Sequence, residues 1–346
     1  MSFKTISGIL MSRQIKNCPS VFFYVLLFLT INSVCYCKKR SYDHLENHPD
    51  ISYIPWFTGP LLSPTPVNML PGHPAIEPSI TIGSNYGEYD SHWRLNGEAN
   101  EWFINPFLDF QLGFTDRVGL EILASFISNF KKGASATRMQ DTILLLGFQI
   151  ANDIKGSWVP DIRIDLQETL PTGSYQKLDP KKFGTDSTGQ GAFQTGPLLI
   201  IHKLFYPGNH FLSLKVSLSY LFPSNVKVKG YNTYGGGTQT NGTVHPGQTL
   251  ATFFSAEYSI SQRWGWGFDA LLTHQKKSTF SGRSGSNKYN QAVSVGLPSS
   301  TQISLAPFIE YNFSSRMGVL GGSWFTVAGR NSSTFLSGYF AFLYVF

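Results

Sequence analysis

The sequence has few charged residues and few cysteines. Charged residues make up 14% of its 346 residues, whereas soluble globular proteins usually contain roughly 25%. This composition argues against an ordinary soluble surface. The three cysteines, Cys18, Cys35 and Cys37, all lie near the N-terminus, so the remaining chain has no thiol. That distribution suits an oxidising compartment, where stray thiols would mispair.

Long apolar stretches are also missing after residue 31. The longest candidates, such as residues 143–148, have the length of a strand, whereas a membrane-spanning helix needs about 20 apolar residues. If such a chain is secreted, as the N-terminus discussed next predicts, it can be periplasmic, exported or a membrane barrel. The pattern of strands must decide among these classes.

The N-terminus predicts a secretory signal peptide over residues 1–37. Three basic residues precede the apolar run 21–31, and small residues follow before a polar segment begins at Lys38. This order of basic, apolar and small residues is typical of a signal peptide. Two alternatives remain open, a membrane anchor and a lipid-modified Cys35 or Cys37. The preceding residues 32–34 fit a lipoprotein cleavage box poorly. Cleavage would remove three positive charges and lower the net charge from +6 to +3.

Residues 38–75 are rich in proline and predict an irregular segment. Seven prolines lie in this stretch, and each removes a backbone donor that a sheet would need. We expect a periplasmic leader that tucks into the mouth of the domain that follows, which spans residues 76–346.

From residue 76 onward, apolar and polar residues alternate in one segment after another. Leu120 and Ile122, for example, alternate with Gly119 and Glu121, and such sets point to opposite faces of a strand. About twelve segments show this pattern, which predicts an all-β fold, a transmembrane antiparallel up-and-down β-barrel. The predicted strands are 76–86, 98–112, 117–128, 140–152, 158–170, 193–206, 210–222, 248–260, 264–276, 300–313, 316–328 and 334–346.

The connections between these segments alternate between short and long. Short turns are expected at 113–116, 153–157, 207–209, 261–263 and 314–315. Longer connections are expected around 87–97, 129–139, 171–192, 223–247 and 277–299, with a brief one at 329–333. Outer-membrane barrels have short periplasmic turns and longer outer loops. An even number of strands places both ends of the barrel on the periplasmic side.

The final segment ends on an aromatic residue. Phe346, Tyr344, Phe342 and Phe340 share one face of the last predicted strand. A terminal Phe with alternating aromatics resembles the signal that the barrel assembly machinery reads, so we expect Phe342, Tyr344 and Phe346 to serve in assembly. The alternative is an ordinary buried closing strand.

Charged residues on the polar faces predict a belt inside the barrel, because a charge facing lipid is costly. The predicted belt contains Asp109, Glu121, Arg163, Asp165, Lys203, Lys215, Glu257, Asp269 and Glu310. It can be an ion-pair network that fills the interior, or a constriction that selects solutes.

The long loops are basic and predict an outer surface that attracts anionic lipopolysaccharide. The residues concerned are Lys131, Lys132, Lys181, Lys182, Lys227 and Lys229. They lie on loops rich in Gly, Ser and Thr and not on one groove-sized face, which argues against nucleic acid as a partner.

Signals for chemistry are weak. The histidines show no metal-ligand spacing, and the sequence contains no Gly-x-Ser-x-Gly motif. The stretch 234–238 is glycine-rich, yet it predicts a flexible loop and not a phosphate site. We expect no cofactor, no metal and no enzymatic activity.

Several short motifs resemble one family. They are Phe57-Thr58-Gly59-Pro60-Leu61-Leu62-Ser63-Pro64, Pro71-Gly72-His73, Ile76-Glu77-Pro78, Tyr86-Gly87-Glu88-Tyr89-Asp90-Ser91-His92-Trp93, Leu170-Pro171-Thr172-Gly173-Ser174-Tyr175 and Gly189-Gln190-Gly191-Ala192-Phe193-Gln194. They resemble the outer-membrane proteins grouped under the meta-pathway of phenol degradation. The resemblance implies barrel transporters for small, often aromatic compounds and assigns no site residue.

Together these features predict passive transport of small, amphipathic or aromatic solutes through an outer-membrane barrel. The expected partners are outer-membrane lipid, lipopolysaccharide, the barrel assembly machinery and a small solute. One alternative is a surface-exposed structural or interaction barrel with a plugged lumen. A third, an outer-membrane hydrolase, lacks a recognisable catalytic constellation.

Overall fold

A computed structural model describes residues 53, 55–97, 101–287 and 289–346 of the protein. Residues 1–37 lie outside this range, so the signal peptide stays a prediction, and the membrane anchor and the lipid-modified Cys35 or Cys37 stay its alternatives. The described chain is nearly all β-structure, with one 3₁₀ turn at Pro180–Lys182. None of its helical segments is long and apolar enough to cross a membrane.

The described residues form seventeen strands, numbered here in chain order. They are β1 (Ala75–Tyr89), β2 (Leu95–Asn96), β3 (Glu101–Gly113), β4 (Val118–Lys131), β5 (Ala134–Met139), β6 (Thr142–Ala151), β7 (Asp161–Leu170), β8 (Gln194–Phe205), β9 (Leu212–Pro223), β10 (Val226–Lys229), β11 (Asn241–His245), β12 (Thr249–Ser259), β13 (Trp264–Gln275), β14 (Thr279–Arg283), β15 (Ser300–Ser314), β16 (Met317–Arg330) and β17 (Ser332–Val345).

Twelve of these strands form a closed antiparallel barrel. The wall runs in the order β1, β3, β4, β6, β7, β8, β9, β12, β13, β15, β16 and β17. The last strand pairs with the first, from Ala75 opposite Val345 to Tyr89 opposite Ser332. Closure leaves no unpaired edge in the wall, which a sheet surrounded by lipid requires. The predicted fold class is confirmed, and each observed wall strand begins and ends within about three residues of its prediction.

The two ends of the barrel differ in their connections. One end, called the short-turn end here, carries brief connections such as 114–117, 260–263 and 315–316. The opposite long-loop end carries the connections 171–193 and 224–248, among others. Both Ala75 and Val345 lie at the short-turn end. The predicted alternation of short and long connections is confirmed, and the brief connection expected at 329–333 is a single residue, Asn331, at the long-loop end.

The wall residues alternate between the two faces as the sequence predicted. On β9, Ser217 and Ser219 are buried inside, whereas Val216 and Leu218 are exposed on the outer surface. Exposed apolar side chains recur on the outside of the other wall strands. An apolar exterior around a closed barrel is the surface that lipid requires.

A small second sheet lies among the long loops, where the sequence predicted only long connections. Strands β10, β11 and β14 pair there, and Val228, Val244 and Tyr234 pack in its core. The prediction of a flexible loop at 234–238 is therefore wrong for Tyr234, which is buried and whose hydroxyl donates to the Gln190 carbonyl at 2.7 Å. Burial raises the pKa of the Tyr234 hydroxyl. We call this sheet and its core the loop cap.

Candidate functional site

The inner wall of the barrel carries most of the charged side chains that the sequence placed there. Eight of the nine predicted belt residues are buried, with exposed fractions of 8% or less. They are Asp109, Glu121, Arg163, Asp165, Lys215, Glu257, Asp269 and Glu310. Each lies within about five residues of the short-turn end of its strand. The belt therefore occupies the short-turn half of the lumen.

Lys203 does not belong to this belt, and that prediction is wrong. Ile200 is buried in the lumen and His202 bonds to lumen residues, so their neighbour Lys203 points the other way. Its ammonium group instead pairs with Asp153 and donates to the Ile154 carbonyl at 3.1 Å, at the turn between β6 and β7. The distance of Lys203 from the short turn suggested that it belongs to the belt. The alternation of side chains along β8 instead places it on the outer face.

The belt has one further carboxylate, Glu77, which the sequence analysis missed. Glu77 lies directly opposite Asp109 in the pairing of β1 with β3 and shares the inward face of β1 with the buried Ala75 and Ser79. The signal was available, because extending the alternation of β1 back through Pro78 to Ala75 places Glu77 inside. We call these eight residues and Glu77 together the lumen belt.

The described part of the proline-rich segment lies inside the barrel. Residues 55–74, called the inner segment here, enter near the turn between β12 and β13, where the Trp56 amide donates to the Gln262 carbonyl at 3.0 Å. The segment then contacts the belt and returns to the short-turn end, where β1 begins at Ala75. The sequence predicted a leader that tucks into the mouth, and the segment reaches the level of the belt.

Belt carboxylates accept hydrogen bonds from the main chain of the inner segment. The Thr58 amide donates to Glu310 Oε2 at 2.6 Å, and the Leu62 amide donates to Asp269 Oδ2 at 2.7 Å. A segment without secondary structure has unpaired backbone donors, and burial is costly unless a partner satisfies them. The two carboxylates supply that partner.

Belt cations satisfy the carbonyls of the same segment. Lys215 Nζ donates to the Pro64 carbonyl at 2.6 Å and to the Ser63 carbonyl at 3.2 Å. Arg163 Nη1 donates to the Thr65 carbonyl at 3.1 Å, while its Nε pairs with Asp165 at 2.7 Å. The belt is thus an ionic network, and it is filled by a peptide that it holds through main-chain groups.

Close approach of the inner segment to the wall depends on glycine at two positions. A Cβ atom at Gly113 would lie 1.8 Å from the Met69 carbonyl oxygen. A Cβ atom at Gly147 would lie 2.4 Å from Arg163 Nε and 2.7 Å from Asn68 Oδ1. Any larger residue would displace the segment or the arginine.

Apolar clusters border the belt on two sides. Leu61 of the inner segment packs with Phe308 and Leu320 of the wall. On the other side, Leu198 and Ile200 pack with residues of β4 and β6. The inner segment therefore joins the wall through apolar contacts as well as hydrogen bonds.

The long-loop half of the lumen is open. A cavity of about 900 Å³, called the vestibule here, is lined by wall residues such as Asn105 and Gln167 and by loop residues such as Thr188. A second cavity of about 790 Å³ at the mouth shares Glu88, Glu101 and Lys131 with the vestibule. The lumen thus contains an accessible outer chamber and a filled inner half.

The predicted basic loop residues divide into two groups. Lys181 lies exposed and Lys182 half-buried in the 3₁₀ turn, and Lys227 and Lys229 are exposed on the loop cap. Lys131 and Lys132 instead line the mouth cavity. Lys131 pairs with Glu101, which lies opposite it in the pairing of β3 with β4, so a cross-strand acid neutralises part of the expected positive surface.

The C-terminal aromatics lie on the outer face of β17 and beyond it. Tyr344 and Phe346 are exposed, Phe342 is half-buried, and the rings of Tyr344 and Phe346 meet edge to face at 4.9 Å between centroids. The Phe346 amide donates to the Pro74 carbonyl at 2.9 Å. These aromatics thus border the seam where the barrel closes.

Within the described residues, no group of three or more His, Cys, Asp or Glu side chains is arranged to hold a metal ion. The closed wall, apolar exterior and polar lumen together define the fold of an outer-membrane β-barrel channel.

Comparison with known proteins supports this fold. No protein-family model and no curated protein matches the sequence. Among solved structures, the chain is similar to the COG4313 outer membrane channel from Pseudomonas putida F1, with a TM-score of 0.60, 11% identity and coverage of 83% of this chain and 100% of that one. At this identity the likeness shows the fold alone.

Two further structures are more distant. One is the toluene transporter TodX from Pseudomonas putida, with a TM-score of 0.38, 11% identity and coverage of 80% of this chain and 89% of that chain. The other is the NanC porin, with a TM-score of 0.40, 9% identity and coverage of 77% and 98%.

Proposed function

We propose that the protein is a channel of the bacterial outer membrane that passes small solutes between the medium and the periplasm. The observation that carries this proposal is the open vestibule inside a closed barrel with an apolar exterior. Concave cavities of about 300–1,000 Å³ are typical of small-molecule sites. A barrel without such a cavity could serve only as a membrane anchor.

The proposed orientation places the short-turn end in the periplasm and the long-loop end outside the cell. The exposed lysines Lys181, Lys227 and Lys229 then face anionic lipopolysaccharide. The C-terminal aromatics lie at the periplasmic end, where the barrel assembly machinery would read them during export. Residues 1–37 serve as the signal peptide in this proposal.

The inner segment controls passage in this proposal, because it occupies the periplasmic half of the lumen. Main-chain hydrogen bonds to Glu310, Asp269 and Lys215 hold it there. Such bonds can break and reform without unfolding the wall, since the wall is closed by its own backbone pairing. The family resemblance supports amphipathic or aromatic solutes, and apolar residues such as Phe107 and Ile143 in the vestibule are compatible with them.

A second candidate is an interaction barrel that never opens. The filled inner half of the lumen and the folded loop cap favour it, because both reduce the open path. The cap would then present a rigid outer surface to an envelope or host component. A transport measurement distinguishes the channel from the interaction barrel.

The test uses a disulfide between the inner segment and the wall. Ser63 Oγ and Ser217 Oγ lie 3.2 Å apart, so Ser63→Cys with Ser217→Cys should crosslink when the native cysteines are replaced by serine. We expect liposomes carrying the reduced protein to swell in small neutral solutes and those carrying the oxidised protein to swell much more slowly. The single variants control for the substitutions.

No swelling in either redox state would overturn the transport proposal and leave the interaction barrel. Equal swelling in both states would show that solutes pass without movement of the inner segment, which contradicts its proposed control of passage.

A further inference from the structure

The side chains that line the vestibule indicate what kind of solute it accepts, an inference that rests on the proposed channel function. Eight carboxamides converge on this cavity, six from wall strands and two, Gln140 and Gln190, from connections. The six on wall strands are Asn85, Asn105, Asn129, Gln167, Gln194 and Gln275. A carboxamide offers both donors and an acceptor. Hydroxyl groups need both, so this lining suits a hydroxyl-bearing ligand.

Some of these carboxamides are held in place by their neighbours. Gln140 Oε1 accepts from Asn105 Nδ2 at 2.9 Å and from Ser125 Oγ at 2.7 Å. Gln167 Oε1 accepts from Ser219 Oγ at 2.9 Å. Fixed orientation lowers the entropy cost of binding a ligand. It also leaves the amino groups of Gln140 and Gln167 as donors for that ligand.

Charge in the vestibule disfavours anions. Lys131 is the basic side chain in the lining, and it already pairs with Glu101. Asp141 accepts from the amides of Gly173 at 2.9 Å and Gln190 at 2.8 Å, so it is occupied by loop main chain. The lining holds more carboxylates than ammonium groups, and like charges repel.

Apolar side chains share the same cavity. Phe107, Leu123, Ile143 and Leu221 line it together with the carboxamides. A ligand that fits both kinds of surface has an apolar face and hydrogen-bonding groups at its edge. A ring compound with several hydroxyl groups meets this description.

We infer that the vestibule binds an uncharged ring compound carrying several hydroxyl groups. Two sources share this chemistry, a sugar and a hydroxylated aromatic. The vestibule selects against the carboxylate form of either. Selection therefore occurs in the outer half of the lumen, ahead of the belt.

The test is calorimetric titration of the full chain in detergent micelles. The probes are glucose and catechol, each paired with a carboxylate of the same ring, glucuronate and protocatechuate. We expect at least one neutral probe to bind and its carboxylate partner to bind about tenfold more weakly or worse, since tenfold corresponds to about 1.4 kcal/mol. The neutral probe that binds identifies the source.

Two substitutions test the contribution of the carboxamides. The double variant Gln167→Leu with Gln194→Leu keeps the side-chain size and removes two of them, and we expect affinity for the binding probe to fall about tenfold or more, as for a lost pair of hydrogen bonds. Gln291→Leu makes the same change in a long loop outside the vestibule lining and should leave affinity unchanged.

The inference is overturned if neither neutral probe binds, if a carboxylate binds as well as its neutral partner, or if the double variant binds like Gln291→Leu. Calorimetry in micelles measures binding independently of transport. Swelling without selective binding would therefore remove this inference and keep the channel, whereas selective binding without swelling would remove the channel and keep a binding site.

Discussion

The two halves of the lumen use polar groups for different purposes. In the short-turn half, charged side chains are buried and bond to the main chain of the inner segment, as Lys215 does to Pro64. In the long-loop half, uncharged carboxamides such as Gln167 and Gln194 surround an open cavity. Strong charges are tolerable in a filled interior only when paired and hydrogen-bonded. In the proposed channel, the charged half closes the lumen and the uncharged half recognises the solute.

The largest expected effect comes from removing the central cation of the charged half. Lys215 bonds to the inner segment and lies in the field of Glu257 and Asp269. Lys215→Met leaves buried carboxylates without a countercharge, and we expect a loss of about 3–5 kcal/mol in unfolding free energy. Urea unfolding in lipid vesicles measures it.

The matched control is Lys203→Met on the other face. Lys203 pairs with Asp153 at the short-turn rim, where both side chains keep 14% exposure, so we expect a smaller loss, about 2 kcal/mol or less. Equal losses in the two variants would contradict the distinction between the belt and the rim.

The next effect tests whether the inner segment closes the lumen. Gly113→Ala would place its Cβ atom against the Met69 carbonyl, and overpacking of this kind costs about 1–3 kcal/mol. The wall is fixed by backbone pairing, so the inner segment should shift and single-channel conductance in planar bilayers should rise.

Gly338→Ala is the control for this substitution. Its Cβ atom would meet nothing within 4 Å, so conductance should match that of the unchanged protein. Identical recordings from the two alanine variants would argue against closure by the inner segment.

The smallest effect concerns a carboxylate that binds main-chain amides in water. Asp90 Oδ1, at the long-loop end, accepts from the His92 amide at 2.7 Å and the Arg94 amide at 3.0 Å. These two bonds lower the pKa of Asp90 below its usual 3.8, and the bond from the Arg94 amide has the larger effect. A lowered pKa means that the turn is stabilised above pH 3.8 and loses that stabilisation as pH falls through the lowered value.

Hydrogen exchange at the His92 and Arg94 amides measures this effect. We expect protection to persist to below pH 3.8 and Asp90→Ala to lose it at neutral pH without changing the unfolding of the barrel. If the barrel unfolded as Asp90 became protonated, this would contradict the expectation that the turn at the long-loop end opens independently of the wall.

The wall of the barrel was predictable because its information is local. Alternation of residues such as Glu121 and Ile122 fixes a strand and its two faces, and short turns mark where strands reverse. Most belt residues followed from the same rule. Lys203 was misplaced because height was considered without its alternation with Ile200, and Glu77 was missed because the alternation of β1 was not followed back across Pro78.

The path of the inner segment was not predictable in the same way. A proline-rich segment has no periodicity, and its bonds join Thr58 to Glu310 and Leu62 to Asp269 across more than 200 positions of sequence. The loop cap was missed for a related reason. Its strands are four or five residues long, too short for alternation to identify.

The most direct test of the account is where the inner segment lies in the native membrane. Ser217 faces the lumen beside Ser63, whereas the neighbouring Val216 faces outward. After oxidation of intact outer membranes, Ser63→Cys with Ser217→Cys should form an intramolecular disulfide, detected by a shift in gel migration. Ser63→Cys with Val216→Cys should form none. Equal crosslinking in both pairs, or none in the first, would show that the charged half of the lumen does not hold this segment.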